Sequence, residues 1–125
     1  MVETVFIIFL LLSKHLLVDF PLQTSFQYLN KGTWLHLGGL LHSSLHGIGT
    51  LIILLCFTSP LMAFALAVLD FVLHYLIDYC KVNINRKLGY SPVNSEQFWW
   101  LLGIDQWLHQ LTYLAIVLIA LNCKE

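Results

Sequence analysis

Long apolar segments are the feature that most limits how this chain can fold, and they occupy most of its 125 residues. Hydrophobic residues make up 58% of the sequence and charged residues only 10%, and the mean hydropathy is +0.78. A soluble domain of this length needs more polar side chains to cover its surface. The composition therefore predicts an integral membrane protein whose partner is the lipid bilayer.

Residues that favour turns divide the apolar sequence into four long segments. Pro21 and Gly32 flank a short stretch that favours an interfacial helix, and Gly89 with Pro92 marks the last loop. We expect an all-α fold, an antiparallel four-transmembrane-helix bundle with a short interfacial helix between helices 1 and 2. The chain then forms a single transmembrane domain with predicted helices at approximately 3–20, 33–57, 60–85 and 95–122.

Two helix starts are predicted from their end residues. Thr33 is the expected N-cap of the second helix, and Ser59 is the expected N-cap of the third, with Pro60 at its first position. The first apolar run lacks a basic n-region and a small-residue cleavage site. We therefore expect it to remain as a membrane helix and not to be removed as a signal peptide.

The basic residues predict how the bundle is oriented. Five of them fall on the side of the links between helices 1 and 2 and between helices 3 and 4, and Lys124 alone falls on the other side. The positive-inside rule then places both links in the cytoplasm and both termini outside. Lys14 and Lys81 are expected to snorkel to the interface. The net charge of −1 and the lack of a basic run argue against nucleic-acid binding.

Each predicted helix carries a pair of ionisable residues spaced i, i+4, which places both side chains on one helical face. Asp70 extends the pair on the third helix by one further turn. Ionisable groups at membrane depth are costly and therefore mark candidate functional sites. The pairs are His15 with Asp19, His42 with His46, His74 with Asp78, and Asp105 with His109.

The pairs also coincide in depth when each residue is measured from the outer end of its helix at about 1.5 Å per residue. An up-and-down bundle predicts one layer of four histidines. It predicts a second layer, one turn nearer the cytoplasm, of three aspartates and one histidine. The first layer is His15, His46, His74 and His109, and the second is Asp19, His42, Asp78 and Asp105.

Imidazole and carboxylate together suit a divalent transition metal, with zinc favoured and manganese or iron as alternatives. The ligands are sufficient for one or two ions, and an aspartate could bridge them. The eight candidate ligands are His15, Asp19, His42, His46, His74, Asp78, Asp105 and His109. A proton or ion pathway, or a purely structural polar network, would also account for such a cluster.

Five residues have more specific expected roles. Asp70 is expected to orient His74, and Gln23 and Gln106 are expected to support neighbouring ligands. Asp19, together with His15, would complete a second metal site or supply the general base. Lys81 follows His74 by seven residues and so can face the site, where it could hold a phosphate or a developing negative charge.

The motifs at 15–23, 42–46, 74–81 and 105–109 occur in an order that resembles the family called domain of unknown function 3307. That family consists of small membrane proteins of bacteria and their phages, and the resemblance covers nearly the whole chain. It implies that the four motifs form one site and that the membrane is a bacterial inner membrane. A looser resemblance to small bacterial membrane proteins described as metal-dependent hydrolases implies the chemistry only by analogy.

The function that these observations favour is a membrane-embedded metal-dependent hydrolase acting at the cytoplasmic leaflet on a lipid-like ester or phosphoester. A carrier or channel for protons or divalent metal is one alternative, although the outer halves of the helices are apolar and a homo-oligomer would have to supply the path. A membrane di-iron oxidase is another. The last is a phage or host membrane interaction protein with a structural polar core.

Overall fold

The computed structural model describes residues 2–122, and within them the chain is helical with no β-strand. This confirms the predicted all-α class. The helices are α1 (Val2–Asp19), α2 (Ser25–Asn30), α3 (Leu37–Leu54), α4 (Pro60–Leu88) and α5 (Glu96–Asn122). The short α2 lies between the first two long helices, where the sequence predicts an interfacial helix. Lys124, which the orientation prediction uses, lies outside the described residues.

Three of the described helices, α3, α4 and α5, are long and apolar enough to cross a membrane, whereas the sequence pattern predicts four spans. The difference lies in α1, which is 18 residues long. Glu3, Lys14 and Asp19 all fall within it, and charged side chains raise the cost of placing a segment in hydrocarbon. The structure therefore supplies three candidate spans and a first helix that is apolar but contains three charged residues within its 18 positions.

The ends of α4 match the expected end residues. The Ser59 side chain accepts a hydrogen bond from the Met62 amide at 3.3 Å, Pro60 is the first helical residue, and Gly89 ends the helix at φ +69°. Only glycine adopts this left-handed conformation at little cost.

The predicted start of the second long helix at Thr33 is wrong, because α3 begins four residues later at Leu37. Thr33 instead closes a turn, in which its amide donates to the Asn30 carbonyl at 3.0 Å. His36 takes the N-cap position and accepts a hydrogen bond from the Gly38 amide at 3.1 Å.

The four long helices form a closed antiparallel bundle in which α1 and α4 each pack against both α3 and α5. Antiparallel packing of α3 and α4 follows from two contacts, because Thr50 meets Asp70 while His42 meets His74 and Asp78. Gly47 makes this packing close, since a Cβ atom there would lie 3.0 Å from a backbone carbonyl of α4.

The α1–α3 link and the end of α4 lie at the same end of the bundle. Arg86 donates to the Leu29 carbonyl at 3.1 Å, and Asn83 donates to the Gly32 carbonyl at 3.0 Å. The interior is divided along its length. The half away from this link is a purely apolar core apart from the Tyr113 hydroxyl, and the half towards the link holds the ionisable residues. The core residues are Ile7, Leu11, Leu54, Ala63, Leu66, Tyr113, Ile116, Val117 and Ala120.

Candidate metal centre

The first cluster gathers three histidine nitrogens around one carboxylate oxygen. Asp19 ends α1, and its Oδ1 lies 3.0 Å from His42 Nε2, 3.1 Å from His46 Nε2 and 3.8 Å from His74 Nε2. The two histidines His42 and His74 also approach each other, with their Nε2 atoms 3.1 Å apart. All four side chains are buried. The ligand atoms of residues on α1, α3 and α4 therefore converge on one point.

These separations match a coordination shell. Four ligand atoms that surround zinc tetrahedrally at about 2.0–2.1 Å lie about 3.3 Å from one another, close to the values above. Hydrogen bonding alone accounts for the cluster less well, because a carboxylate oxygen has only about two lone pairs for the three nitrogens. Buried histidine and aspartate of this cluster could thus hold a metal ion.

A second cluster consists of His74, Asp78 and His109. His74 Nε2 lies 3.3 Å from Asp78 Oδ2, and His109 Nε2 lies 3.7 Å from Asp78 Oδ1. The His109 nitrogen is buried and makes no hydrogen bond within residues 2–122. A single nitrogen atom binds one ion, so His74 Nε2 can be a ligand in only one of the two clusters at a time. Asp78 faces both clusters with different oxygens and is the residue placed to bridge two ions.

The predicted layer of four histidines is present. The His15 ring centroid lies 5.3 Å from that of His46, 5.8 Å from that of His74 and 5.0 Å from that of His109. The His46 and His109 rings each stack on His74, at 3.5 and 4.1 Å. These four histidines therefore lie at a common depth in the bundle, which confirms the predicted layer.

His15 reaches neither metal cluster directly, although the sequence pattern includes it among the ligands. Its Nε2 lies 3.0 Å from Asp19 Oδ2 and 3.1 Å from Gln106 Oε1, and its Nδ1 lies 2.8 Å from the Tyr113 hydroxyl. Because Nε2 faces two oxygens, it carries the proton, and Nδ1 accepts the proton of the Tyr113 hydroxyl. His15 thus holds Asp19 in place as a neighbour of the ligands.

Asp70 does not orient His74, as the sequence spacing suggests. Asp70 lies one helical turn further from the α1–α3 link than His74 does, and its side chain is 1% exposed. Its Oδ2 accepts hydrogen bonds from Lys14 Nζ at 2.9 Å and from the Thr50 hydroxyl at 2.5 Å. The prediction fails because a helical face is wide enough for residues four apart to turn towards different neighbours.

Lys14 is buried inside the bundle, so the expectation that it snorkels to the interface is wrong. Besides Asp70, its Nζ lies 3.2 Å from the Tyr113 hydroxyl and 3.3 Å from the His46 carbonyl. Gly49 leaves room for it, because a Cβ atom there would lie 2.7 Å from Lys14 Cγ. Lys14, Tyr113 and His15 therefore form a buried hydrogen-bonded chain from Asp70 to Asp19.

Sequence reasoning missed Thr50 and Tyr113, although the same spacing could have found them. Thr50 follows His46 by four residues, and Tyr113 follows His109 by four. Both continue a helical face that already carries ionisable residues. Hydroxyl groups are the natural partners of such residues in a buried network.

The remaining predicted residues lie at the edge of the clusters. Gln106 contacts both Asp105 Oδ2, at 3.2 Å, and His15. Gln23 donates to the backbone carbonyl of Asp19 and not to its carboxylate. Asp105 is buried with its Oδ1 3.7 Å from His109 Nε2, and this oxygen has no hydrogen-bond partner in the part of the chain that the structure describes.

An open cavity of about 290 Å³ leads from the surface to the carboxylates. Lys31 from the α1–α3 link and Lys81 from α4 line it together with the aspartates of the clusters. Lys31 Nζ is paired with Asp78 Oδ2 at 2.8 Å. Lys81 is half-buried and forms no ion pair within residues 2–122. The aspartates that line the cavity are Asp19, Asp78 and Asp105.

The fold and the site define an all-helical protein with helices apolar enough to cross a membrane and a buried His/Asp cluster that could hold a metal ion. The chain belongs to the family described as Protein of unknown function (DUF3307), whose model matches residues 6–124. This confirms the family resemblance drawn from the four motifs. No match was found among curated proteins or among solved structures.

Proposed function

We propose that this protein is a membrane-embedded, metal-dependent hydrolase that acts on a lipid-like ester or phosphoester at the cytoplasmic leaflet. The observation that carries the proposal is the convergence of three Nε2 atoms on one oxygen of Asp19, at separations close to those of a metal's coordination shell. The open cavity beside these groups supports access for a substrate.

In this proposal the first cluster holds the principal ion, through Asp19, His42, His46 and His74. Asp78 and His109 contribute to a second ion or bind water. Zinc suits this donor set best, and manganese or iron are the alternatives. A bound divalent ion would lower the pKa of a coordinated water molecule and polarise the phosphoryl or acyl oxygen.

The other residues position the ligands, accept a proton or stabilise negative charge. Asp19 is held by its neighbours through both oxygens, which makes it a better ligand than base. Asp105, with one oxygen unpartnered within residues 2–122, is placed to accept a proton from water. Lys81 at the cavity would stabilise negative charge on the substrate.

The proposal includes membrane insertion with α1 as a fourth span in a bacterial inner membrane. Buried pairing of Lys14 with Asp70, and of Asp19 with histidines, lowers the cost of their charges. Lys31, Lys81 and the basic end of α4 all lie towards one end, which supports a cytoplasmic position for that end. Lys14 is buried and therefore does not contribute to the basic charge at this end.

A proton or metal pathway is less well supported. Such a path needs polar groups through the whole depth of the bundle. Beyond Asp70 and Tyr113, the described interior is closed by apolar side chains such as Leu11, Leu54 and Ile116, all fully buried. A site that is open at one end and sealed at the other favours catalysis.

The direct test is hydrolysis by protein purified in detergent, stripped of metal and then reloaded with zinc, manganese or iron. The substrates are phosphatidic acid, phosphatidylcholine, a fatty-acyl ester and the soluble bis(p-nitrophenyl) phosphate. We expect cleavage that depends on the added metal and is lost in Asp19→Asn. His36→Asn is the matched control, because His36 caps α3 outside the clusters. Absence of cleavage with every metal and substrate would contradict the proposal.

A further inference from the structure

An apolar groove runs along the outer surface between α4 and α5. Its volume is about 250 Å³, and its walls are built mainly by leucine and isoleucine side chains of the two helices. On α5 it extends from Leu101 to Leu108, which corresponds to a length of about 10 Å. Ile104, in the middle of this wall, is 52% exposed. The groove therefore has the shape and lining that suit a hydrocarbon chain.

The groove adjoins the cavity beside the metal clusters. Lys81 and Asp105 line both of them, so one molecule could occupy the groove with its apolar part and the cavity with its polar part. The groove between α3 and α4 offers a comparison, since it is of similar size, about 240 Å³. Its lining contains no charged residue and shares none with the cavity.

Charge indicates which polar group the cavity takes. Lys81 stands at the junction without an ion pair in residues 2–122, whereas Lys31, which also lines the cavity, is paired with Asp78. The ammonium group of Lys81 is therefore available to bind a phosphate. The three nearby carboxylates would repel a phosphate unless a cation lies among them, so this part of the argument rests on the proposed function.

We propose that the α4–α5 groove and the adjoining cavity together bind a lipid that carries a phosphate headgroup. Its acyl chain lies along Leu101, Ile104 and Leu108, and its phosphate lies between Lys81 and the metal clusters. The lipid enters sideways from the bilayer through the gap between α4 and α5. Substrates of the proposed hydrolase are therefore phospholipids or lipid phosphates and not neutral esters.

The test measures lipid binding directly, by native mass spectrometry of metal-loaded protein in detergent. The probes are phosphatidic acid, diacylglycerol with the same chains, and inorganic phosphate as a competitor. We expect phosphatidic acid to bind at least about tenfold more tightly than diacylglycerol. Millimolar inorganic phosphate should displace little of it, because the chain contributes to binding.

Variants separate the two parts of the site. Lys81→Gln should weaken phosphatidic acid binding about tenfold while Lys81→Arg retains it. Ile104→Trp should fill the groove and weaken binding of both lipids. Ile48→Trp places the same bulk in the α3–α4 groove and should leave binding unchanged. Each variant is first checked for an unchanged elution volume and metal content.

The outcomes keep this inference apart from the proposed function. Equal binding of phosphatidic acid and diacylglycerol, or equal loss of binding in Ile48→Trp and Ile104→Trp, would overturn the inference. Metal-dependent cleavage of bis(p-nitrophenyl) phosphate would still support a hydrolase in that case. Conversely, selective binding of phosphatidic acid without cleavage of any substrate supports the binding site and contradicts the hydrolase.

Discussion

The buried ion pair of Lys14 and Asp70 gives the sharpest prediction about stability. Lys14→Met leaves the Asp70 carboxylate, 1% exposed, with the Thr50 hydroxyl as its one remaining partner among residues 2–122. Removing one member of a buried pair leaves an uncompensated charge and typically costs about 3–5 kcal/mol. We therefore expect Lys14→Met to lower the free energy of unfolding by about that amount.

The double variant Lys14→Met/Asp70→Leu should recover most of this loss, because no buried charge remains. Tyr113 keeps His15 as a hydrogen-bond partner, and Thr50 can donate to a carbonyl of its own helix. We expect the double variant to lie within about 2 kcal/mol of the wild type.

The assay is reversible unfolding by SDS in mixed micelles, followed by far-ultraviolet circular dichroism, for both single variants and the double variant. Lys87→Met is the matched control, because Lys87 is exposed and its loss should change stability by less than about 0.5 kcal/mol. The reasoning is refuted if Lys14→Met costs less than about 1 kcal/mol, or if the two single losses simply add in the double variant.

Three further predictions concern packing and the hydrogen-bonded chain. Gly49→Ala should destabilise the protein by about 1–3 kcal/mol, because its Cβ would meet the Lys14 stem at 2.7 Å. Gly103→Ala, with open space around its Cβ on an exposed helix face, should instead stabilise it by about 0.5–1 kcal/mol in the same unfolding assay. Tyr113→Phe should cost about 1–3 kcal/mol, since Lys14 and His15 lose a buried partner. Metal content should remain unchanged in this variant, and a loss of metal would show that Tyr113 does more than support the ligands.

The sequence predicted the convergence of the polar groups because two simple regularities determine it. The i, i+4 spacing places each pair on one face, and the up-and-down order sets a common depth for His15, His46, His74 and His109. Helix class and the start of α4 followed from equally local signals at Ser59 and Pro60.

The partners within the cluster could not be predicted in the same way. Periodicity gives the face of a residue but not its rotamer, so Asp70 could turn to Lys14 instead of His74. Lys14 could be buried only because Gly49, on another helix, leaves room for its stem. Contacts of this kind between two helices depend on tertiary packing and cannot be predicted from the sequence pattern of one helix alone. The sequence pattern predicts four spans, whereas length and composition identify three among the described helices, because α1 contains Glu3, Lys14 and Asp19.

The measurement that tests the central claim most directly is elemental analysis of detergent-purified protein, wild type beside His74→Ala. His74 belongs to both clusters and is a ligand of the principal ion in the proposed function, so its loss should remove that ion. The account predicts about one or two equivalents of zinc, manganese or iron in the wild type. It predicts that His74→Ala lacks the principal ion and that His36→Asn keeps the wild-type metal content. A wild-type protein that remains free of metal after supplementation with all three, or equal metal in His74→Ala, would contradict it.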